Sequence, residues 1–173
     1  MHDVVVRSET PEDIRAIDVV NVSAFAGDVE ANLVSSLRGS THFISDLSLV
    51  AEINGRIVGH ILLSRILLAH DDGSREILAL GPMSVVPSQS QRGIGSVLVK
   101  AAIERARKGG HVAIIEAGYP DYYQRFGFKP IANWSLTSNL QLPKDAVTAL
   151  ELEDGVFQSG DRIVYPDLFA ALF

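Results

Sequence analysis

Between Ile77 and Glu116 the chain passes from an apolar run through a glycine-containing loop into an amphipathic segment and then into a second apolar run. Pro87 closes the first run, Gly93 and Gly95 sit in the loop, and Ile94, Val97, Leu98, Ala101 and Ala102 share one helical face. Gly109-Gly110 ends the helix, and Val112 to Glu116 reads as a buried-type strand. This strand, loop, helix, strand order is a βαβ unit, whose two strands must be parallel and joined by a right-handed crossover.

The flanking sequence adds antiparallel elements. Val4 to Val6 reads as a short strand, and Thr10-Pro11-Glu12-Asp13 then supplies an N-cap, a proline at the first helical position and two acids that suit a helix N-terminus. Ile14, Ile17, Val20 and Ala24 recur at helical spacing. A second helix starts at Asp28, carries Val29, Leu33 and Leu37 on one face, and ends at Gly39. Leu49–Ile53 and Ile57–Leu68 are strands joined by Asn54-Gly55, the pair best suited to the left-handed angles of a two-residue hairpin turn. A turn at Asp71-Asp72-Gly73-Ser74 leads into a strand over Ile77–Val86, where Gly81-Pro82 predicts a bulge or a splayed edge. A short aromatic helix at Tyr122–Arg125 and strands near Lys129–Thr137, Val147–Leu152 and Asp161–Tyr165 complete the chain. No repeat or linker interrupts it, so residues 1–173 read as one domain.

Composition narrows the function classes. Lys+Arg 15 against Asp+Glu 21 leaves a formal charge of −6, a poor background for holding a phosphate backbone, and nucleic acid is not an expected partner. With no cysteine, a disulfide framework, a thiolate metal site and a cysteine acyl-enzyme are all excluded. His2, His42, His60, His70 and His111 fall in different elements without paired ligand spacing, so no metal is expected. The apolar runs are strand-sized and the amino terminus has no basic leader, which predicts a cytoplasmic protein with no membrane partner.

Chemistry is concentrated in two stretches. In Pro87-Ser-Gln-Ser-Gln-Arg-Gly-Ile-Gly-Ser-Val-Leu98 the glycines fall where a strand hands over to a helix, so backbone N–H groups converge on an anion the size of a diphosphate, or else form a tight turn chosen for packing. The Walker pattern is excluded because no Gly-Lys-Ser/Thr follows, and the dinucleotide fingerprint because Leu98 occupies its third small position. Arg92, Lys100, Arg105, Arg107 and Lys108 against Glu104 give this helix a basic rim within an acidic protein.

The second stretch is Gly118-Tyr-Pro-Asp-Tyr-Tyr-Gln-Arg-Phe-Gly-Phe128. Taken together, the two resemble the GNAT N-acetyltransferase superfamily, and its compact YhbS-like branch in particular. There a Gln/Arg-x-x-Gly-x-Gly/Ala loop is followed one strand later by a Tyr-Tyr-x-Arg-Phe-Gly-Phe segment. The resemblance covers essentially the whole chain and departs at Ser90, where the family usually has Gln or Arg, with Gln89 and Gln91 on either side.

That resemblance implies a mixed α/β fold with a twisted, mostly antiparallel sheet, splayed between strands 4 and 5, and helices on both faces. It implies acetyl-CoA as co-substrate, with the diphosphate on the amides of Gln91, Arg92, Gly93, Ile94, Gly95 and Ser96 and the acyl oxygen on a backbone amide at Met83, Ser84 or Val85. It maps the general acid onto Tyr123, a phenol that stays protonated at neutral pH. An amine with a pKa near 10.4 also needs a base. Glu30 on the second helix and Glu116 at the end of its strand are both candidates, while Ser84 and His60 lie in strand runs that could face the thioester, His60 reading better as a satisfied core histidine. Arg125 reads as a partner for a local carboxylate or for CoA, and Trp134 and Phe157 as core or acceptor-side aromatics. The expected reaction is acetyl transfer to a primary amine by direct attack in a ternary complex, with a small-molecule amine as acceptor and a homodimer possible. The competing readings are a noncatalytic acyl-CoA sensor or interaction module, and acetylation of a protein or tRNA-borne amine.

Overall fold

Arg7 and Asp13 bind the start of the chain to itself, with guanidinium–carboxylate contacts at 2.7 and 3.0 Å and a further contact from Arg7 to Glu52 at 3.2 Å. The computed structural model describes residues 3–173. In order, it forms β1 (Val5–Ser8), α1 (Ile14–Phe25), α2 (Val29–Arg38), β2 (Phe43–Ile53), β3 (Arg56–His70), β4 (Gly73–Val85), α3 (Ile94–Lys108), β5 (Ala113–Ala117), α4 (Pro120–Tyr123), β6 (Lys129–Pro130), β7 (Thr137–Ser138), β8 (Val147–Glu151) and β9 (Arg162–Val164). Short 3-10 turns fill several connections.

Two compact units share these elements. One comprises residues 1–63 and 81–105, the other residues 64–80 and 106–173, so that β3 and β4 each give one end to either. In the first unit the strand order is β1, β2, β3, β4, with β1 antiparallel to β2. Asn54 and Gly55 both take left-handed angles, φ 53° and 77°, as the hairpin predicts. Apolar stripes seal this unit: Ile17 and Val20 from α1, Leu33, Val34 and Leu37 from α2, and Ile94, Leu98 and Ala102 from α3 are all buried.

In the second unit β4 pairs in parallel with β5, and β5 and β6 pair antiparallel with β8. β9 runs antiparallel to β3 and parallel to β7. The sheet is thus mostly antiparallel, with the βαβ pair β4–β5 parallel as its connection requires. That ladder covers Leu78–Leu80 against Ile114–Glu116 and ends immediately before Gly81-Pro82.

The segment after β5 departs from the sequence reading. Lys129 to Thr137 is not a strand: pairing stops at Pro130, a 3-10 turn follows over Ile131–Trp134, and Ser135 takes a left-handed φ of 56°. Ile131 and Leu136 are buried, but five residues apart they do not follow the period of two that a strand needs.

Candidate functional site

Gly59 decides how closely the glycine loop and its helix approach the sheet. A Cβ there would lie 2.9 Å from Leu98 Cδ1, 3.2 Å from the Ser84 carbonyl oxygen and 3.4 Å from Ile94 Cγ2. Only a residue without a side chain lets the first turn of α3 pack against β3 and β4.

Across the same strands, Val86 N–H donates to Val58 O at 2.8 Å. Amides alternate sides along a strand, so the N–H of Ser84 points towards β3 as well, and those of Met83 and Val85 point away from it. Of the three amides expected to receive an acyl oxygen, Met83, Ser84 and Val85, the Ser84 N–H is therefore turned into the sheet, and Met83 and Val85 are left facing away from β3. The chain then turns through Pro87–Gln89, with Ser90 N–H and Oγ both donating to Pro87 O at 3.2 and 2.8 Å. Gln91 and Gly93 take left-handed angles, φ 67° and 79°, and Val97 N–H to Gly93 O at 3.1 Å is the first helical bond. The N–H groups at the head of α3 have no carbonyl within the helix, and the helix dipole puts about half a positive charge there. Gln91, Arg92 and Gly93 are exposed, and a Cβ at Gly93 would meet nothing within 4 Å. The surface over these amides is open, and the donor set suits a diphosphate. The Ser90 hydroxyl is spent on the turn, and the neighbouring Gln89 Oε1 is buried without a hydrogen-bond partner.

The second unit holds Glu116 and Tyr123. Glu116, on the last rung of the β4–β5 ladder opposite Leu80, is 2% exposed and accepts from Tyr119 N–H at 3.0 Å and from Thr148 Oγ1 at 3.4 Å. Burial outweighs those two bonds and pushes its carboxyl up to about 7. Tyr123 is 4% exposed, packed against Tyr122, Phe126 and Phe128 with ring centroids at 5.0, 6.1 and 5.6 Å. Burial first, and then the charge of Glu116, raise its phenol well above the ordinary tyrosine value. Arg125 lies over the Tyr122 ring, 4.5 Å from its centroid, which gives it a stacking partner on its own turn. Trp134 and Phe157 stack at 5.0 Å.

Glu30 lies in the first turn of α2, half-buried. Ser84 and His60 belong to the core of the first unit: Ser84 Oγ donates to Asn21 Oδ1 at 3.0 Å, and His60 contacts Asn21 Nδ2 and Ser48 Oγ at 3.5 and 2.9 Å. Asn21, Ser48 and Glu9 were not candidates on sequence grounds. Asn21 after Ile17 and Val20, and Ser48 between Leu47 and Leu49, carry one sequence mark, a polar residue among apolar ones, whereas Glu9 lies in a polar run and carries none. His2 lies outside the described residues. Among the described residues no group of His, Cys, Asp and Glu could hold a metal ion, and no helix is long and apolar enough to cross a membrane.

A family model described as an acetyltransferase (GNAT) domain matches residues 44–130. The Escherichia coli K12 protein named uncharacterized N-acetyltransferase YjhQ is 35% identical over 120 residues, which is 69% of this chain and 66% of YjhQ. YhbS of the same organism, also named an uncharacterized N-acetyltransferase, is 30% identical over 132 residues, 76% of this chain and 77% of YhbS. Among solved structures, Escherichia coli YhbS in complex with CoA matches with a TM-score of 0.88 at 24% identity, covering 98% of this chain and 93% of that one. A GNAT family acetyltransferase from Brucella melitensis in complex with acetyl-CoA matches with a TM-score of 0.78 at 28% identity, covering 98% and 99%.

Proposed function

The chain belongs to the GNAT acetyltransferases, and on that premise we propose that it moves acetyl from acetyl-CoA to a small primary amine by direct attack within a ternary complex. The observation that carries this reading is the run of backbone donors in the first unit. The Met83 and Val85 amides turn away from β3 and lead into an open, glycine-bearing turn at the head of a 15-residue helix. The acetyl-CoA held by the Brucella melitensis relative supports the choice of donor.

Bound acetyl-CoA would supply an activated thioester and a thiolate leaving group. The amides of Gln91, Arg92, Gly93, Ile94, Gly95 and Ser96 hold the diphosphate, each bond to an ionised oxygen contributing about 1.5–3 kcal/mol. The amides of Met83 and Val85 receive the acyl oxygen as negative charge develops on it. Glu30 offers its charge to the incoming ammonium on the acceptor side. The ammonium first gives one proton to solvent. As the C–N bond forms, Glu116 takes the second proton from the nitrogen, directly or through water, and Tyr123 gives a proton to the sulfur as the C–S bond breaks, its phenolate then being reprotonated from Glu116 through solvent. Glu116 fits the base because its carboxyl titrates near 7. With no cysteine in the chain, a cysteine acyl-enzyme has no place in this scheme.

Calorimetric titration with acetyl-CoA, CoA, ATP and NAD tests the donor, and a panel of small primary amines, scored by release of CoA thiol, tests the acceptor. Binding confined to acetyl-CoA and CoA, lost in Gly93→Val, followed by amine-dependent thiol release, is expected. No binding of either CoA species removes the donor site. Binding without turnover on any small amine moves the reading to a sensor or to a macromolecular acceptor.

A further inference from the structure

Four elements of the first unit each commit a buried polar side chain to one continuous hydrogen-bonded line, which Glu9 and the half-buried Arg38 extend. It starts at Ser84 on β4, whose Oγ donates to Asn21 Oδ1 on α1 at 3.0 Å. Asn21 Nδ2 donates to Ile17 O at 3.2 Å and lies 3.5 Å from His60 Nδ1 on β3. His60 Nε2 is 2.9 Å from Ser48 Oγ on β2, and Ser48 Oγ donates to Glu9 Oε1. Glu9 is held in turn by Arg38, the last residue of α2, with Nε and Nη2 at 2.9 and 3.1 Å from its two oxygens. Asn21, Ser48 and His60 are fully buried and Ser84 is 3% exposed.

One set of proton positions satisfies the whole line. Glu9 is ionised: burial alone would raise its pKa, but the contacts from His60, Arg38 and Ser48 outweigh it and hold the carboxyl at about 2. Ser48 must therefore donate to Glu9 and accept from His60. The proton on His60 sits on Nε2, which is 2.9 Å from Ser48 Oγ and 3.8 Å from Glu9 Oε1. Nδ1 is then bare and accepts the Asn21 amide N–H, which leaves Asn21 Oδ1 for the Ser84 proton. Burial opposes a charge on the ring and keeps it in this neutral tautomer. Every donor faces Glu9, and no register of apolar packing asks for such an arrangement.

Two features exclude a proton exit. An amide stands in the middle of the line and does not shuttle protons, and a carboxyl at about 2 is too weak a base to take one. What the line does is fix orientation. Its first member stands between Met83 and Val85, the two residues whose amides face away from β3. Its last member ends the helix that carries Glu30.

We propose that Asn21, His60, Ser48, Glu9 and Arg38 are positioning residues for acetyl transfer, acting through Ser84 to set the backbone donors of Met83 and Val85 against the acetyl group. This inference rests on the proposed donor site and deepens it. Burying this many polar groups costs stability that an apolar cluster would not, and a fixed geometry of donors towards the reacting carbonyl oxygen is the return.

The test reads the line at its centre. In protein labelled with 15N-histidine, the His60 ring signals are identified by their loss in His60→Gln. Saturating acetyl-CoA shifts both His60 ring nitrogens, CoA lacking the acetyl group shifts them less, and Ser84→Ala abolishes the difference while calorimetry keeps acetyl-CoA affinity within about threefold of wild type. Ser84→Thr, which retains the hydroxyl, restores the difference. His60 signals that do not move although calorimetry records acetyl-CoA binding overturn the inference and leave the donor site standing. So does an equal response to CoA and acetyl-CoA that survives Ser84→Ala, since a purely structural line would behave in that way. Absence of acetyl-CoA binding in wild type overturns the donor site and this inference with it.

Discussion

The Glu116 carboxyl and the Tyr123 phenol, both buried in the same unit, act on each other: the charge of Glu116 is the second cause, after burial, of the raised pKa of Tyr123. When Glu116 takes a proton, that charge disappears and the phenol becomes a stronger acid. In the proposed mechanism, a base and an acid coupled in this sense favour the transfer, because removing a proton from the amine eases the delivery of one to the sulfur.

The coupling predicts an acid limb in the pH dependence. Glu116 must be ionised to accept a proton, and its carboxyl titrates near 7, so kcat rises as pH passes from 6 to 8 with an apparent pKa near 7. Glu116→Gln removes the limb and lowers kcat at pH 8 by about 10²-fold or more. Stability moves the other way. A carboxyl whose folded pKa is raised contributes stability that is complete below its unfolded value of 4.5 and is lost as pH rises through 7. Glu116→Gln therefore unfolds at higher urea than wild type at pH 8, and the two converge near pH 4.5. A profile flat from 6 to 8 in wild type returns Glu116 to a purely structural role.

Tyr123→Phe separates packing from proton delivery. The ring contacts to Tyr122, Phe126 and Phe128 survive the substitution, so the urea midpoint changes little. Loss of the hydroxyl lowers kcat by about 10- to 100-fold and leaves acetyl-CoA affinity nearly unchanged. Steady-state kinetics beside calorimetry read both, and an unchanged kcat assigns the ring to the core alone.

Gly59→Ala tests the fit that sets α3 on the sheet. The new Cβ would stand 3.2 Å from the Ser84 carbonyl oxygen, backbone that cannot swing aside as the Leu98 side chain can. Overpacking of this kind costs about 1–3 kcal/mol. Because the displaced atoms belong to Ser84 and to the first turns of α3, acetyl-CoA affinity falls along with the urea midpoint. A stable variant with full affinity shows that β4 yields without disturbing the donors.

Local chemistry made much of this readable. Asn54-Gly55 adopts the left-handed pair its composition demands, Pro87 closes β4, and the parallel ladder ends where Gly81-Pro82 interrupts it. The turn at Gln91 was not legible, since a left-handed φ at a residue other than glycine is imposed by its neighbours and leaves no mark in composition. Nor was the line from Ser84 to Glu9, whose links join residues 63, 39, 12 and 39 positions apart. Hydrophobic periodicity shows which face is buried and is silent on which buried polar groups meet. Glu116 was one of two open candidates for the base. What sets it apart from Glu30 is desolvation, a property of the assembled sheet.

Acid unfolding reports on Glu9. Its folded pKa is depressed from 4.5 to about 2, so its contribution to stability is complete above 4.5 and disappears as pH falls through 2. The contribution is on the order of 3 kcal/mol at neutral pH. Asp13, held at about 2 chiefly by its hydrogen bonds with Arg7, adds a second loss over the same range. Wild-type stability measured by urea therefore falls steeply between pH 4.5 and 2. In Glu9→Gln the stability at pH 7 is already lower, because Arg38 and Ser48 lose a charged partner, and the remaining fall on acidification is shallower. The two proteins approach each other near pH 2, where wild-type Glu9 is itself taking up a proton. Parallel curves for Glu9→Gln and wild type down to pH 2 mean that Glu9 titrates alike in the folded and unfolded chain, and that the anion anchoring the line to Ser84 is not held by it.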